Sequence, residues 1–203
     1  MALVSDGEIL SRVAETGHRT TGAFQLIEQA LKAAGRQRED VECLAIGLGP
    51  GSYTGIRVAI SIGTGWRVAR GVRLRGVSTV DCLAMQAKDR GVRGLLHLVI
   101  DAHRNEYYHA GFALSDAGMQ SSTPLHITTR EEILRLAANK VVWCSPDLVH
   151  QFPGSEGVFP NAGTLGQLAA NIKSDASDTP LEPIYLRETS FVKAAPPRPI
   201  LLE

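Results

Sequence analysis

A glycine-rich loop is the first feature of this sequence whose residue types could do chemistry. The stretch "GLGPGSYTGIR", residues 47–57, lies between the apolar run "VECLAIGL" and a long apolar segment. Backbone amides at the start of a helix can bind a phosphate, so one interpretation is a nucleotide site. The other is a tight strand-to-helix turn, because glycine permits backbone angles that other residues avoid. The loop residues in question are Gly49, Pro50, Gly51, Ser52, Tyr53, Thr54 and Gly55.

The loop lacks the features of the common nucleotide-binding motifs. A P-loop requires a lysine after its second glycine, and this stretch contains none. The glycines are spaced as GxGxG, not as the GxGxxG of dinucleotide sites, and basic and apolar residues stand where such sites carry an acidic residue. We therefore favour the turn, and an ATPase or kinase that uses the Gly47–Gly55 loop is the alternative.

A polar segment, "DAHRNEYY" at residues 101–108, is the second candidate. His103 and His109 are six residues apart, so they would face the same way on one continuous strand, near Asp101 and Glu106. A metal site is one interpretation, and a charged hairpin turn is the one we favour. The patterns HExxH, HxxxH, GxSxG and DxDxDG do not occur. The sequence therefore predicts no catalytic residue and no metal ligand.

The composition is that of an ordinary globular protein. Of its 203 residues 44% are hydrophobic and 21% charged, and 21 basic residues balance 21 acidic ones. A nucleic-acid-binding protein usually carries a basic excess, which is absent here. Arg67, Arg70, Arg73 and Arg75 form a local cluster that is typical of a helix end and turn. The three cysteines are widely spaced, and no apolar run reaches membrane-spanning length, so we expect a cytoplasmic protein without a membrane partner.

Periodicity predicts an α/β protein made of two sets of elements. The first set is a hairpin turning at residues 5–7, a helix, a strand, the loop, a second helix, a strand and a third helix. The second set is three strands, a helix, a strand and a final helix. We divide the chain into residues 1–92, residues 93–190 and a mobile proline-rich tail at residues 191–203. The first hairpin arm is so short that we expect the sequence to begin inside an element.

The segment after the loop, residues 54–71, has helical spacing with an unusually wide apolar face. Its apolar residues cover roughly 200° of arc, whereas a surface helix needs a little more than about 100°. Gly63 and Gly65 would each cost about 1 kcal/mol relative to alanine, which is understandable where another backbone comes close. Two interpretations stay open: full burial within one domain, or one side on the chain's own sheet and the other on a second chain.

Three segments together resemble the TsaB (YeaZ) family. They are "GLGPGSYTGIRVAISIGTGWRVARGVRLRGVSTVDCLA", "DAHRNEYYHAGF" and "PLEPIYLRET", and the likeness extends over nearly the whole chain. The resemblance implies an actin-like (ASKHA) fold with two ribonuclease-H-like halves of βαβ type. Two departures stand out. The family's usual first strand is lacking from the first half, and "GHRTTG" replaces the family's Arg-His-Ser-Glu.

The resemblance also implies a function. TsaB proteins are non-catalytic partners of TsaD and act with TsaE in placing threonylcarbamoyl on N6 of adenosine 37 in tRNA. ATP and metal are then expected on TsaD and TsaE, with no cofactor on this chain, and tRNA would be met through the complex. The absence of HxxxH fits the non-catalytic member and gives no support to a glycoprotease-like activity.

In this family two helices of the first half bind either TsaD or a second TsaB. By position these are "GAFQLIEQALKAA" and "TGIRVAISIGTGWRVA", which agrees with the wide apolar face of the second helix. A homodimer of the isolated chain would then compete with the heterodimer. The predicted interface residues are Phe24, Ile27, Leu31, Ile56, Ala59, Ile60, Gly63 and Trp66.

Overall fold

The computed structural model describes residues 1–14, 22–138, 140–172 and 180–187. The predicted hairpin is its first element, with β1 (Ala2–Ser5) antiparallel to β2 (Glu8–Arg12). Asp6 and Gly7, which join the strands, both have positive φ, as a two-residue hairpin turn requires. The tail predicted at residues 191–203 lies outside the described residues.

A strand–helix–strand unit follows the hairpin and the first helix. The two strands of this unit are parallel, because the helix between them carries the chain back along the sheet. Ser52 caps the helix by accepting a hydrogen bond from the amide of Gly55, and Gly71, in a left-handed conformation, ends it. The bounds are α1 Ala23–Ala33, β3 Cys43–Gly49, α2 Tyr53–Arg70 and β4 Arg73–Ser78.

The rest of the chain builds a five-stranded mixed sheet with helices on both faces. Its strand order is β7-β6-β5-β8-β9, in which β6 is antiparallel to β5 and β7, and β8 is parallel to β5 and β9. The α/β organisation predicted from the alternation of elements is therefore observed. The bounds are α3 Thr79–Asp89, β5 Gly94–Asp101, β6 Tyr107–Ser115, β7 Gly118–Thr128, α4 Arg130–Leu136, β8 Val141–Cys144, β9 Glu156–Gly157 and α5 Ala162–Asn171.

Both faces of this sheet are covered by apolar side chains. Leu83 of α3 packs on the face that carries Leu96 and Leu98 of β5. Val99, which points to the opposite face of the same strand, packs with Ile133 of α4. β5 is therefore nearly continuously apolar, as expected of a strand that is buried on both sides.

The last helix, α5, crosses back to the first half of the chain. A Cβ atom at Gly166 would lie 2.7 Å from Val4 of β1, and one at Gly163 would lie 2.6 Å from Ile9 of β2, so the helix lies directly on the hairpin. α5 also contacts β3, β4 and α3. The division between residues 92 and 93 stays a prediction, and these contacts pass across it.

One face of α2 packs on β3 and β4. Gly63 is buried on this face, where a Cβ atom would press into Ile46 and lie 3.3 Å from Leu74. Gly65 is exposed, and a Cβ atom there would meet open space. The two glycines therefore have different environments: the chain's own sheet accounts for Gly63, and no neighbour within the described residues accounts for Gly65.

This difference predicts opposite effects of the same substitution at the two positions. Gly65→Ala should stabilise the chain by up to about 1 kcal/mol, because alanine is the better helix former. In Gly63→Ala the same gain is offset by overpacking of about 1–3 kcal/mol. Urea denaturation of the two variants should show Gly63→Ala to be less stable than Gly65→Ala by about 2 kcal/mol. Equal stability of the two variants would contradict this assignment of the helix faces.

Candidate partner-binding surface

The side of α2 that faces away from β3 and β4 has little cover from the rest of the described chain and carries both apolar and polar residues. Val68 on this side is 82% exposed, although valine is usually buried. α2 is therefore not fully buried by the described residues, and its contact with a second chain stays a prediction. We call this surface the outer face of α2, made of Thr54, Arg57, Val58, Ser61, Gly65 and Val68.

The structure divides the predicted interface residues into inward and outward groups. Leu31 is only 4% exposed, and Gly63 is buried against Ile46, so the chain itself covers both residues. Four others lie on the inward side of α2. Ala59, Ile60 and Trp66 pack beside the cluster that includes Ile46 and Leu74, and Ile56 lies beside Gly49. These six residues contact the chain's own sheet or core and lie beneath the exposed surface.

Phe24 and Ile27 of α1 remain as outward candidates. Phe24 is 59% exposed in the first turn of the helix, and Ile27, one turn later, is half-buried. A largely exposed phenylalanine is a frequent anchor of protein interfaces, where aromatic residues are enriched.

The glycine loop is a strand-to-helix turn in which Gly49 has a structural requirement. Its φ of +94° favours glycine, and a Cβ atom there would lie 2.7 Å from the Cδ1 atom of Ile56. Gly51 has open space around it, and Gly55 has its amide occupied by the Ser52 side chain. The turn therefore depends on one of the loop glycines more than on the others.

The segment Pro180–Arg187, which we call the connecting segment, brings three separate sequence motifs together. The amide of Ile184 donates to the carbonyl of Leu48 at the end of β3. Arg187 donates to the carbonyl of Ala102 at 3.0 Å and to the carboxylate of Glu106. The segment thus links the glycine loop of the first half to the turn between β5 and β6.

Tyr53, Arg57 and Tyr185 form an exposed cluster where the connecting segment passes α2. The guanidinium of Arg57 lies 4.1 Å from the ring centre of Tyr53, and its Nε donates to the Tyr185 hydroxyl at 2.8 Å. This hydrogen bond raises the pKa of Arg57. The cluster borders a groove of about 380 Å³ lined by Tyr53, Thr54, Arg57, Val58, Ser61 and Ile62.

The turn between β5 and β6 is a charged hairpin turn, as favoured from the sequence. His103, Arg104 and Asn105 all have φ near +60°, a conformation that non-glycine residues rarely adopt in succession. Asp101 holds the turn by accepting a hydrogen bond from the amide of His103 at 2.7 Å. His103 lies in this exposed turn and is not on a strand with His109, so the juxtaposition considered for a metal site does not form. Within the ranges described above, no three His, Cys, Asp or Glu residues are grouped to hold a metal ion.

His109 instead belongs to a buried histidine cluster that the sequence did not indicate. Its Nε2 atom shares a hydrogen bond of 2.9 Å with Nδ1 of His97, and the two rings stack. The ring of His126 packs edge-on against it. His109 is fully buried, and its Nδ1 atom has no hydrogen-bond partner among the described residues. Burial, reinforced by His97 and His126, lowers the pKa of His109 to about 4.

Comparison with known proteins gives a consistent set of relatives. A family model described as TsaD, tRNA N6-adenosine threonylcarbamoyltransferase, matches residues 7–142. The tRNA threonylcarbamoyladenosine biosynthesis protein TsaB of Escherichia coli (strain K12) is 25% identical over 194 residues, which cover 87% of this chain and 84% of that protein. The TsaB of Haemophilus influenzae (strain ATCC 51907 / DSM 11121 / KW20 / Rd) is 24% identical over 220 residues, which cover 98% of this chain and 92% of that protein.

Solved structures agree on the fold. A crystal structure of a Pseudomonas aeruginosa protein with similarity to peptidase YEAZ superposes with a TM-score of 0.74 at 24% identity, over 92% of this chain and 93% of that chain. YeaZ from Pseudomonas aeruginosa gives a TM-score of 0.73 at 23% identity, over 91% of this chain and 92% of that chain. The ASKHA-like fold expected from the sequence is thereby confirmed. None of the helices in the described ranges is long and apolar enough to cross a membrane.

Proposed function

This chain belongs to the family described by the TsaD model, on its TsaB (YeaZ) branch, and we propose that it acts in the synthesis of threonylcarbamoyladenosine in tRNA as a scaffold subunit. In this role it binds a TsaD-type transferase and contributes no catalytic group of its own. The single observation that carries the proposal is the exposed outer face of α2, on which the apolar residue Val68 is 82% exposed.

The shape of that surface favours a protein partner. Small residues on the outer face, including Gly65, allow another backbone to approach closely, and no neighbour of Gly65 among the described residues requires glycine. The half-exposed aromatic Phe24 supplies a second anchor on α1. We propose that the same surface forms a homodimer when the chain is alone, and that the homodimer and the complex with the transferase exclude one another.

The remaining components follow from the same proposal. ATP and metal are bound by the TsaD-type transferase and a TsaE-type ATPase, tRNA is met through the complex, and the assembly works in the cytoplasm. The sequence supports the non-catalytic role, because the HxxxH pattern of the metal-binding TsaD is absent from it.

Reconstitution tests the proposal directly. The chain should co-purify with the TsaD-type transferase of the same organism. A mixture that also holds the TsaE-type ATPase and threonylcarbamoyl-adenylate should modify tRNA only when this chain is present. Equal modification without the chain would remove the proposal. Micromolar binding of ATP and Mg²⁺ by the isolated chain, measured by calorimetry, would support the ATPase or kinase alternative instead.

A further inference from the structure

The cluster of Tyr53, Arg57 and Tyr185 presents an exposed cation to which no carboxylate of the described residues is paired. The interactions of the Arg57 guanidinium in the described chain are with the two tyrosines, and no carboxylate of these residues forms an ion pair with it. The Nε–H group donates to the Tyr185 hydroxyl, and the guanidinium also interacts with Tyr53. The two rings hold the cation in place in advance, which lowers the entropic cost of binding an anion.

Arg90 shows the same arrangement with its anion present. Its guanidinium lies 4.9 Å from the ring centre of Trp143 and donates to the carboxylate of Glu156 at 2.8 Å. Arginine presents a planar set of donors that suits a carboxylate while its face rests on an aromatic ring. The Arg57 cluster has the aromatic part and the cation of this arrangement and lacks the carboxylate.

The surroundings of Arg57 indicate which kind of molecule carries that anion. α2 contains no acidic residue, and Arg57 on its outer face has no carboxylate partner among the described residues, so a carboxylate of a partner is complementary in charge. The groove beside Arg57 also contains the apolar residues Val58 and Ile62, which suit an apolar side chain. A nucleic acid is less well matched, because the chain has no net positive charge to attract a phosphate backbone.

We propose that Tyr53, Arg57 and Tyr185 form an anchor that binds a carboxylate of the partner protein, while the groove takes an apolar side chain next to that carboxylate. The inference rests on the proposed function, because it specifies the chemistry by which the transferase recognises the outer face of α2. Arg57 contacts the carboxylate, and Tyr185 is a positioning residue that fixes the guanidinium through its hydroxyl group.

Calorimetric titration of the TsaD-type transferase with five forms of the full chain, the wild type and four variants, tests the anchor. Arg57→Gln should weaken binding about thirtyfold or more, because a desolvated carboxylate on the partner then lacks its cation. Tyr185→Phe should weaken binding about fivefold, and should have no further effect in the Arg57→Gln background. Arg90→Gln is the matched control: at the end of α3 it removes the same charge from the ring of Trp143, and should leave affinity within about twofold.

Salt dependence provides a second readout. Wild-type affinity should fall between low and high salt, and Arg57→Gln should show a smaller fall, because one ion pair is missing. Equal binding by wild type and Arg57→Gln would overturn the anchor and leave the scaffold proposal standing. If the wild-type chain does not bind the transferase, both the anchor and the scaffold proposal are wrong. Loss of tRNA binding in Arg57→Gln, with binding of the transferase unchanged, would assign the cluster to tRNA and also overturn the inference.

Discussion

Replacing Phe24 with aspartate is expected to weaken binding of the TsaD-type transferase by about a hundredfold. Phe24 is 59% exposed in the isolated chain, and in the proposed complex its ring is buried against the partner. The substitution removes an aromatic anchor and places a charge in an apolar interface, and changes of this kind are among the most costly in protein complexes. Calorimetric titration of the transferase with the wild-type and variant chains measures the change.

The position of Phe24 makes this substitution safe for the fold. α1 has no acidic residue in its first turn, and a carboxylate there interacts favourably with the helix dipole. The thermal midpoint should therefore stay unchanged or rise slightly, so that weaker binding cannot be attributed to unfolding. Phe159→Asp is the matched control, because Phe159 is 74% exposed. Its carbonyl accepts a hydrogen bond from Gln86 of α3, and it is far in sequence from the residues of the proposed surface. Equal weakening by both variants would show a general effect of charge and contradict a localised interface.

The helices and most strands could be predicted from local pattern, because each has its own periodicity and end signals. For α2 the local pattern predicts the helix but not the face that packs on the sheet. Its wide apolar arc is visible in the sequence, but the arc alone does not say which side meets the sheet. The positions of Ile46 and Leu74 decide it, and these residues come from strands that pair only in the folded chain. Ile60 and Gly63 therefore looked suited to a partner, whereas Val68 has the larger exposure.

The connecting segment was beyond local pattern for a different reason. It forms neither a helix nor a strand and has neither helical nor alternating periodicity, so nothing in its own residues indicates what it contacts. Its hydrogen bonds reach Leu48 and Ala102, which are far away in sequence. The motif "PLEPIYLRET" is one of the three that resemble the TsaB (YeaZ) family. The hydrogen bonds of the connecting segment with the other two motifs give a structural reason for this resemblance.

The histidine cluster was missed because it depends on strand register. The spacing of His103 and His109 was compared on the assumption of one strand, but β6 begins at Tyr107. The actual neighbour, His97, lies on β5, and Gly111 is the residue paired with it across the two strands. Spacing within one strand does not reveal which residue of the next strand will lie beside it.

The buried histidine pair gives the chain a stability that depends on pH. The ordinary pKa of histidine is about 6.5, and in the folded chain that of His109 is lowered to about 4. The unfolded chain therefore binds a proton that the folded chain excludes when the pH lies between these values. Folding stability is fully present above about pH 6.5 and decreases as the pH falls toward 4. Burial also lowers the pKa of His97, which acts in the same direction.

Between pH 7.5 and pH 5 this effect should remove about 2 kcal/mol from the free energy of unfolding. Charged neighbours modify it: His126 and Lys140 oppose protonation of the pair, and the carboxylate of Glu132 favours it. His109→Gln should lose much of this pH dependence, because a glutamine amide can hydrogen-bond to His97 and does not titrate. Urea denaturation at both pH values measures the difference. His103→Gln, at the exposed turn, should behave like the wild type. An unchanged pH dependence in His109→Gln would mean that other groups control acid stability and that the stacked pair tolerates a proton.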